Sequence, residues 1–317
     1  MATVTITQSG SFRPDTLANY LIGGIETASA QAIEVYIAPW SSTSYNAIYR
    51  GNFSFNFLGE VSGTVTGFDF SYKTTLFWSI TGLSVSASQA FALIASGDAL
   101  GLTALMLAGD DVINSQDYSL AYGSGQIIDS FGGNDLVYGS RGTDVISGGL
   151  GKDTLWGALE NDSLQGGANV DFLSGEAGND LLRGDQGNDL LSGGWDNDTL
   201  IGGTGADQLY GGLGVDVFVW TTLRDSTVAR ANRDTVQDFA ALQGDRIDLS
   251  ALDAKAGVKG NQAFTLVDAF TAHAGELRVQ SGPQGCLLLA DTNGDGAADL
   301  SIAFVGTTTL LAADFVL

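Results

Sequence analysis

Apolar and polar side chains alternate with a nine-residue period through the middle of this 317-residue chain. An apolar residue recurs at every ninth position, ten times without a slip, and each one follows an aspartate by two residues. These apolar residues are Val137, Ile146, Leu155, Leu164, Leu173, Leu182, Leu191, Leu200, Leu209 and Phe218. The pattern predicts very short strands that each point one side chain inward, and stacking such strands ~4.8 Å apart would bury a continuous apolar column.

The polar positions of the repeat predict a metal ligand set. The unit reads Gly-Gly-x-Gly-x-Asp-x-apolar-x. Glycine permits positive φ and leaves room for carbonyl oxygens to turn toward an ion, and the aspartate supplies a charged oxygen. Calcium takes six to eight oxygen ligands in flexible geometry, so carbonyls and carboxylates together suit it. The candidate carboxylates are Asp135, Asp144, Asp153, Asp162, Asp171, Asp180, Asp189, Asp198, Asp207 and Asp216.

Ten repeats in strict register resemble the RTX (repeats-in-toxin) calcium-binding proteins. The resemblance implies a right-handed parallel β-roll in which two nonapeptides complete one turn, so loops on the same edge lie 18 residues apart. The aspartates would then form two ladders, one starting at Asp135 and the other at Asp144. Five rungs leave four gaps per ladder, and the roll would hold at most about eight calcium ions.

Glycines of the repeat are the other candidate ligands, through their backbone. They are Gly133, Gly142, Gly148, Gly149, Gly151, Gly166, Gly167, Gly178, Gly187, Gly193, Gly194, Gly202, Gly203, Gly205, Gly211, Gly212 and Gly214. At the fourth position Glu160, Asn169 and Asp196 replace glycine, in the repeats of Asp162, Asp171 and Asp198. The second-position replacements are Phe131, Ser140, Ala158, Glu176 and Asp185. A glycine-rich disordered linker is the alternative, but it needs no periodic leucine.

Charge sharpens the metal prediction. The formal net charge is -23, with 44 glycines and only 3 prolines. Residues 129–220 hold 15 acidic residues against 3 basic ones. Such a segment should repel itself and stay expanded until cations neutralise it. The charge also argues against nucleic acid or an anionic membrane as a partner.

Residues 109–128 read as a degenerate cap of the repeats. Gly109-Asp110-Asp111-Val112-Ile113 has the core of the motif out of register, and Gln126 stands where a further aspartate would precede Ile128. Terminal repeats of stacked arrays are commonly atypical because they cap the stack. We therefore predict four segments: a β-rich domain at 1–108, the cap at 109–128, the roll at 129–220 and a β-rich C-terminal region at 221–317.

The C-terminal region is similar to that of serralysin-type proteases. The similarity rests on Asp234 to Phe239, Gly244 to Leu252, Ala274 to Arg278 and the ending Asp314-Phe315-Val316-Leu317. It implies an uncleaved C-terminal signal read by a type I secretion ABC transporter, and hence a secreted, extracellular or cell-surface protein. The start of the chain lacks the features of a Sec signal peptide, and no apolar run is long enough to span a membrane.

Two readings compete for Asp291 to Asp299. Asp291, Asn293, Asp295 and Asp299, with Gly296, match the first nine positions of an EF-hand calcium loop, but Ile302 stands where a bidentate acid is expected. The other reading is a hairpin with an Asn-Gly turn. The single cysteine, Cys286, cannot form an intrachain disulfide and is predicted to be a buried strand thiol.

Residues 1–108 carry the function that the repeats leave open. Gly51–Phe57, Gly63–Tyr72 and Thr75–Ser86 read as antiparallel strands, and Ala87–Ser96 and Asp98–Ala108 as short helices. Sugar-binding aromatics and paired glycosidase acids are both open alternatives here. Their candidates are Tyr36, Trp40, Tyr45, Tyr49 and Trp78 for binding, and Glu26, Glu34, Glu60 and Asp69 for catalysis.

Two hydrolase motifs, those of zinc proteases and of serine hydrolases, are missing from these 317 residues. The one histidine, His273, cannot supply a His-Glu-x-x-His zinc site, and no Gly-x-Ser-x-Gly elbow is present. The sequence therefore favours a non-enzymatic surface, matrix or adhesion protein that folds on calcium outside the cell. The alternative is a carbohydrate-binding or carbohydrate-active N-terminal module carried by a secreted calcium-binding roll, with a cell-surface or polysaccharide partner.

Overall fold

The computed structural model describes the backbone of five strands within residues 4–86, and then residues 110–114, 127–255 and 257–317. These described residues form strands, loops and two short 3-10 helices. The helices predicted at Ala87–Ser96 and Asp98–Ala108, and the cap residue Gln126, lie outside the described residues. The chain divides into two compact units, one of Met1–Ala121 with Ser130–Tyr138 and the other of Tyr122–Asp129 with Gly139–Leu317.

The first unit contains an antiparallel sheet with parallel strands at its edges. Strands β2 to β5 pair antiparallel in chain order, β1 joins β2 in parallel, and β6 links β5 to β8. The bounds are β1 (Val4–Gln8), β2 (Ala28–Ile37), β3 (Tyr45–Phe55), β4 (Val61–Tyr72), β5 (Thr75–Ser86), β6 (Val112–Asn114) and β8 (Leu136–Tyr138). The three predicted antiparallel strands are confirmed, with β3 beginning six residues earlier than expected, while β1 and β2 were missed.

The repeats form the centre of the second unit as short strands of alternate sheets. Each repeat strand from β9 to β16 spans six residues, from the seventh position of one repeat to the third of the next. The bounds are β7 (Ile127–Asp129), β9 (Val145–Leu150), β10 (Thr154–Leu159), β11 (Ser163–Ala168), β12 (Phe172–Ala177), β13 (Leu181–Gln186), β14 (Leu190–Trp195), β15 (Thr199–Thr204), β16 (Gln208–Leu213) and β17 (Val217–Val219). Sheet one contains β10, β12, β14 and β16; sheet two contains β7, β9, β11, β13, β15 and β17.

The register confirms a parallel β-roll with two nonapeptides per turn. Leu155 pairs with Leu173 in sheet one, and Leu164 pairs with Leu182 in sheet two, an offset of 18 residues in each case. Every strand pair between β9 and β16 is parallel. The expected fold class, all-β and dominated by this roll, is therefore confirmed.

The eighth-position side chains fill the interior of the roll. Leu155, Leu164, Leu173, Leu182, Leu191, Leu200, Leu209 and Phe218 are fully buried. Burying one such side chain contributes roughly 1.5–3 kcal/mol. Within residues 139–219 the column therefore supplies most of the apolar driving force for folding. One repeat alone has no neighbour to bury its leucine against, and for that reason the strands are stable only as a stack.

The C-terminal region continues both sheets. Strand β18 extends sheet one and is followed there by β23, β22, β21 and β20; β19 and β24 extend sheet two. The bounds are β18 (Thr235–Val236), β19 (Arg246–Asp248), β20 (Thr265–Leu266), β21 (Glu276–Gly282), β22 (Gly285–Asp291), β23 (Leu300–Val305) and β24 (Phe315–Val316), with 3-10 helices at Arg230–Asn232 and Ala312–Asp314.

An aromatic cluster closes this end of the roll. The Phe239 ring lies 6.1 Å from that of Phe218 and 5.5 Å from that of Phe304, the latter edge-to-face. Edge-to-face packing adds to the energy of area burial. Cys286 is buried in β22, as predicted, and burial raises the pKa of its thiol to about 11, which makes the thiolate scarce at neutral pH.

Candidate metal centres

The repeat aspartates follow each strand and point into the roll, where they are buried. From Asp162 to Asp216, one oxygen of each carboxylate, Oδ1, accepts the backbone N–H of the aspartate one turn earlier. These bonds run from Asp144 through Asp162, Asp180 and Asp198 to Asp216 on one edge, and from Asp153 through Asp171 and Asp189 to Asp207 on the other, at 2.7–2.9 Å. From Asp144 and Asp153 onward, the fold therefore brings the predicted ladders of aspartates together.

The second carboxylate oxygen, Oδ2, is buried without a hydrogen-bond donor. Within the residues the structure describes, this holds for Asp162, Asp171, Asp180, Asp189, Asp198, Asp207 and Asp216. A buried oxygen without a donor loses its hydration and gains nothing in return, at a cost of roughly 1–3 kcal/mol, and more if it is charged. Cations beside this row of oxygens would compensate for the hydration that the oxygens have lost.

Asp144 differs from the other repeat aspartates. Its Oδ2 accepts the Ser140 N–H at 2.5 Å and its Oδ1 accepts the Ser140 hydroxyl at 2.8 Å. Ser140 is the second-position replacement in that repeat. The serine thus supplies donors to a carboxylate whose counterparts further along the ladders have an oxygen with no donor.

The first-position glycines have no Cβ, and this allows other oxygens to lie close to each Oδ2. A Cβ at Gly193 would collide with Asp198 Oδ2 and come 2.6 Å from the carbonyl oxygen of Gly211, one turn on. Carboxylate and carbonyl oxygens therefore converge where a side chain would otherwise stand. The same holds at Gly139, Gly157, Gly175 and Gly184, which the sequence analysis left out although their place in the repeat identifies them.

The residues that replace glycine at the fourth position keep a positive φ. Glu160, Asn169 and Asp196 have φ of 69°, 82° and 76°, whereas the glycines Gly133, Gly151, Gly178, Gly205 and Gly214 of that position have φ of 130–148°. The carbonyl oxygens of the three replacements point at the next turn: a Cβ at Gly178 would overlap the carbonyl of Glu160, and one at Gly214 that of Asp196. The backbone oxygens that a metal would use remain in place in these repeats.

Two further aspartates extend the ladders. Asp234 Oδ1 accepts the Asp207 N–H at 3.0 Å, and Asp245 Oδ1 accepts the Asp216 N–H at 3.1 Å. Both second oxygens have donors, because Trp220 Nε1 donates to Asp234 Oδ2 at 2.7 Å and the Ala240 N–H to Asp245 Oδ2 at 2.8 Å. The sequence analysis missed these rungs. The pattern Asp-x-apolar in Asp234 to Val236 and Asp245 to Ile247 was the available signal.

The first unit contains a hydrogen bond of the same kind, between the cap and the first repeat. The Asp111 N–H donates to Asp135 Oδ1 at 2.8 Å, and Val112 pairs with Leu136 at an offset of 24 residues instead of 18. Neither carboxylate oxygen of Asp111 meets a donor among the described residues.

A neutral ladder runs beside the acidic one at the fifth position of the repeat. Asn161 Oδ1 accepts the Asn179 N–H, Asn179 Oδ1 the Asn197 N–H, and Asn197 Oδ1 the Val215 N–H, at 2.7–2.9 Å. These bonds stack the turns without any ion. The sequence analysis gave the fifth position no role.

Burial and neighbouring carboxylates raise the pKa of the ladder carboxyls. The pKa is about 8 for Asp162, Asp189 and Asp198, about 7 for Asp171 and about 6 for Asp180, Asp207 and Asp216. Burial is the largest cause in each. In the metal-free roll a proton is thus the available substitute for a cation.

Acid is expected to favour the calcium-free roll. Because the folded-state pKa is raised above the unfolded value of about 3.9, the stabilisation by protons is complete near pH 4 and is lost as the pH rises through about 6–8. Calcium-stripped protein should show more β-structure at pH 5 than at pH 8 by far-UV circular dichroism. A β signal that is constant or grows with pH would contradict the claim that protons on the ladder carboxyls stabilise the calcium-free roll.

The loop from Thr292 to Asp299 connects β22 and β23. These strands pair antiparallel up to Ala290 and Leu300, so the hairpin is confirmed, and Asn293 and Gly294 lie within its loop. The carboxylate of Asp291 accepts the N–H groups of Asn293, Gly294 and Gly296 and holds the start of this loop. Asp295 Oδ1 accepts the Ala297 N–H, and Asp299 Oδ2 accepts the Thr292 N–H. Calcium binding by Asp291, Asn293, Asp295 and Asp299 stays a prediction.

Other predicted residues lie apart from the ladders. His273 is exposed, and its Nδ1 lies 2.9 Å from the Thr271 hydroxyl. Among the described residues, no three histidine, cysteine or acidic side chains converge on one point. Any ion in the roll would therefore depend on backbone carbonyls as well as carboxylates.

Comparisons with known proteins found one family and similar solved structures. Residues 109–317 match the family described as Peptidase M10 serralysin C terminal. Two solved structures, the AlgE6R3 and AlgE6R2 subunits of the Azotobacter vinelandii mannuronan C5-epimerase, match with 29% and 25% identity. Each covers 50% of this chain; the match spans 78% and 91% of the subunits, with TM-scores of 0.26 and 0.29. No curated protein matches.

Proposed function

Since the chain belongs to the Peptidase M10 serralysin C-terminal family through residues 109–317, we propose that it is a secreted protein that folds on calcium outside the cell. The buried Oδ2 row of the ladders carries the proposal, because each of these oxygens needs a positive partner. Calcium would neutralise the carboxylates, and the carbonyls that converge on them would complete its oxygen ligands.

The proposed ions lie between successive turns of the two ladders. The ligands would be the repeat aspartates with the carbonyls of the glycine positions, and four gaps per ladder give at most about eight ions. The donors of Trp220 and Ala240 already satisfy the second oxygens of the last rungs, Asp234 and Asp245. These two oxygens therefore need no ion. Affinities of about 10⁻⁴–10⁻³ M, typical of extracellular calcium modules, would suffice outside a cell.

Export by a type I ABC transporter would use the last four residues. In the folded protein, Asp314 Oδ2 accepts the Leu311 N–H at 2.6 Å, and Phe315 pairs with Ile247 as part of β24. Phe315 is 9% exposed. A transporter could read this segment only in a chain that is still unfolded, and low cytoplasmic calcium would keep the chain in that state.

Deletion of Asp314–Leu317 is expected to lower export at least tenfold in cells with a type I transporter, measured as the secreted fraction of full-length chain. The deletion also removes the Phe315 contact with Ile247, so a matched control is needed. Ile247→Ala loosens the same contact but leaves the terminus intact, and it should be exported normally. Normal export of the deletion, or equal loss in Ile247→Ala, would contradict the signal.

Outside the cell, we propose a non-enzymatic surface, matrix or adhesion role. The lack of the zinc-protease and serine-hydrolase motifs supports it. Among the described residues no helix is long and apolar enough to cross a membrane. The side chains of the candidate acids Glu34 and Asp69 and of the aromatics Tyr36, Tyr45, Tyr49 and Trp78 are not described, and Glu26, Glu60 and Trp40 lie outside the described residues.

The calcium-loaded full chain tests this role. It should release no reducing ends from a panel of polysaccharides. Turnover that is abolished by Glu34→Gln or Asp69→Asn, with the calcium-dependent fold intact, would replace the non-enzymatic role with the carbohydrate-active alternative.

A further inference from the structure

The two sheets of the roll differ in their aromatic content. Strands β9 to β16 contain four aromatic residues: Trp156, Phe172, Trp195 and Tyr210. They fall one to each of β10, β12, β14 and β16, which are neighbours in sheet one. The strands β9, β11, β13 and β15 of sheet two contain none. Because the chain alternates between the sheets at every repeat, this distribution gives the roll one aromatic face.

The aromatic side chains lie on the outer surface of sheet one. The inward eighth position is leucine in each of these strands, so the seventh and ninth positions point outward. The Trp156 and Phe172 rings, on adjacent strands, lie 5.9 Å apart with their planes at 61°. Trp195 is 66% exposed and Tyr210 37%.

A third outward column extends the apolar surface. Trp195 stands at the third repeat position, where the register places it between Ala177 and Leu213 on the neighbouring strands. Leu213 is 61% exposed and Leu159, two strands from Trp195, 45%. Contiguous exposed apolar surface of this kind commonly marks a binding site.

This surface carries almost no charge although the chain carries a net charge of -23. The twelve residues of the three outward columns are uncharged at pH 7: Thr154, Trp156, Leu159, Phe172, Ser174, Ala177, Leu190, Ser192, Trp195, Gln208, Tyr210 and Leu213. Glu176 is the one acid in these four strands, and sheet two has Arg183 and Asp185 in β13. Hydroxyl and amide groups interleave with the aromatic rings.

We propose that this outer face, residues of β10, β12, β14 and β16, binds a neutral polysaccharide. The apolar C–H faces of sugar rings pack on aromatic planes, and the hydroxyls of Thr154, Ser174 and Ser192 and the amide of Gln208 can exchange hydrogen bonds with sugar hydroxyls. One aromatic per strand, at strand spacings of ~4.8 Å, offers repeated contacts to an extended chain of sugars.

Charge selects this partner over two others. Eight calcium ions would add 16 positive charges to the formal net charge of -23 and leave about -7, so a second copy and an acidic polysaccharide would both still be repelled. A neutral glycan meets no such cost. The inference rests on the proposed function, since the face exists only when calcium has folded the roll.

Retention of calcium-loaded full-length protein on particles of cellulose, chitin and β-1,3-glucan tests the proposal, with soluble alginate as the acidic probe. We expect the protein to be retained on at least one of these neutral glycans. We expect soluble alginate neither to bind the protein nor to compete for it. Trp195→Ala should weaken the retention at least fivefold, and Trp156→Ala combined with Trp195→Ala at least twentyfold. Leu150→Ala is the matched control, because Leu150 has the same third position and the same 66% exposure on sheet two. It should stay within twofold.

Circular dichroism on the same samples separates the two levels of the argument. A chain that folds on calcium but is retained by no neutral glycan, or equally by the Trp195 and Leu150 variants, overturns the glycan face and leaves the calcium proposal standing. If sedimentation detects dimers that Trp195→Ala dissociates, the face binds a second copy, and the proposal that it binds a glycan is overturned as well. A chain that does not fold on calcium overturns both.

Discussion

Removing calcium is expected to unfold the roll from β9 to β17. Without cations, the seven buried Oδ2 atoms that have no donor and the 15 acidic residues of 129–220 oppose the apolar column. Ordering each residue costs about 1–2 kcal/mol of backbone entropy, and short strands with one buried leucine per repeat cannot offset this alone. Ion binding supplies the difference by mass action.

The measurement is a calcium titration of chelated protein followed by far-UV circular dichroism at neutral pH. The β signal should appear cooperatively near 10⁻⁴–10⁻³ M calcium, and the same ionic strength of sodium chloride should not produce it. Proteolysis would locate the change, since cleavage within residues 139–219 should vanish on calcium addition. A complete roll in excess chelator would refute the role of calcium.

Substitution of Gly205 by alanine is expected to destabilise the calcium-loaded protein by about 4 kcal/mol. Gly205 has φ +148°, and a Cβ there would overlap the carbonyl oxygen of Gly187 in the turn below. To make room the turns must separate, which would stretch the Asp189 N–H bond to Asp207 Oδ1, now 2.8 Å. Both the stacking and the carbonyl ligands of the ladder would suffer.

Gly257→Ala is the matched control. Gly257 also has a left-handed φ, +84°, but no atom lies within 4 Å of its Cβ position. It should lose only about 1 kcal/mol from backbone strain. Chemical unfolding in fixed excess calcium compares the two, and the calcium midpoint of Gly205→Ala should rise at least tenfold. Equal losses would mean that strain alone, and not the stacked carbonyl, makes glycine necessary.

The sequence predicted the roll well because its period is strict. Leu155 and Leu173 could be assigned to one sheet from spacing and the family resemblance alone, and the aspartate ladders followed. Spacing failed where loops of other lengths intervene: Asp234 follows Asp207 by 27 residues and Asp245 follows Asp216 by 29, yet both occupy rungs. Stacking in space, and not separation in sequence, decides which aspartates belong to a ladder.

Other features depend on contacts that a motif does not express. The Asn161, Asn179 and Asn197 ladder uses a position that the repeat leaves free, and Ser140 provides donors to Asp144 that only the fold reveals. Ala158 and Glu176 hold left-handed φ of 92° and 75° where glycine was expected. There the stack imposes the conformation on residues that would avoid it in isolation.

The two-repeat turn also limits how such a chain can change its length during evolution. Loss or gain of 18 residues would remove or add one turn and leave every later strand in its own sheet. Loss of a single nonapeptide would transfer every later strand to the opposite sheet, so Trp195 and Tyr210 would leave the face that holds Trp156. Descendants of this gene that keep the aromatic face should therefore differ from it by even numbers of repeats, and an odd difference should be accompanied by a redistribution of the aromatic residues.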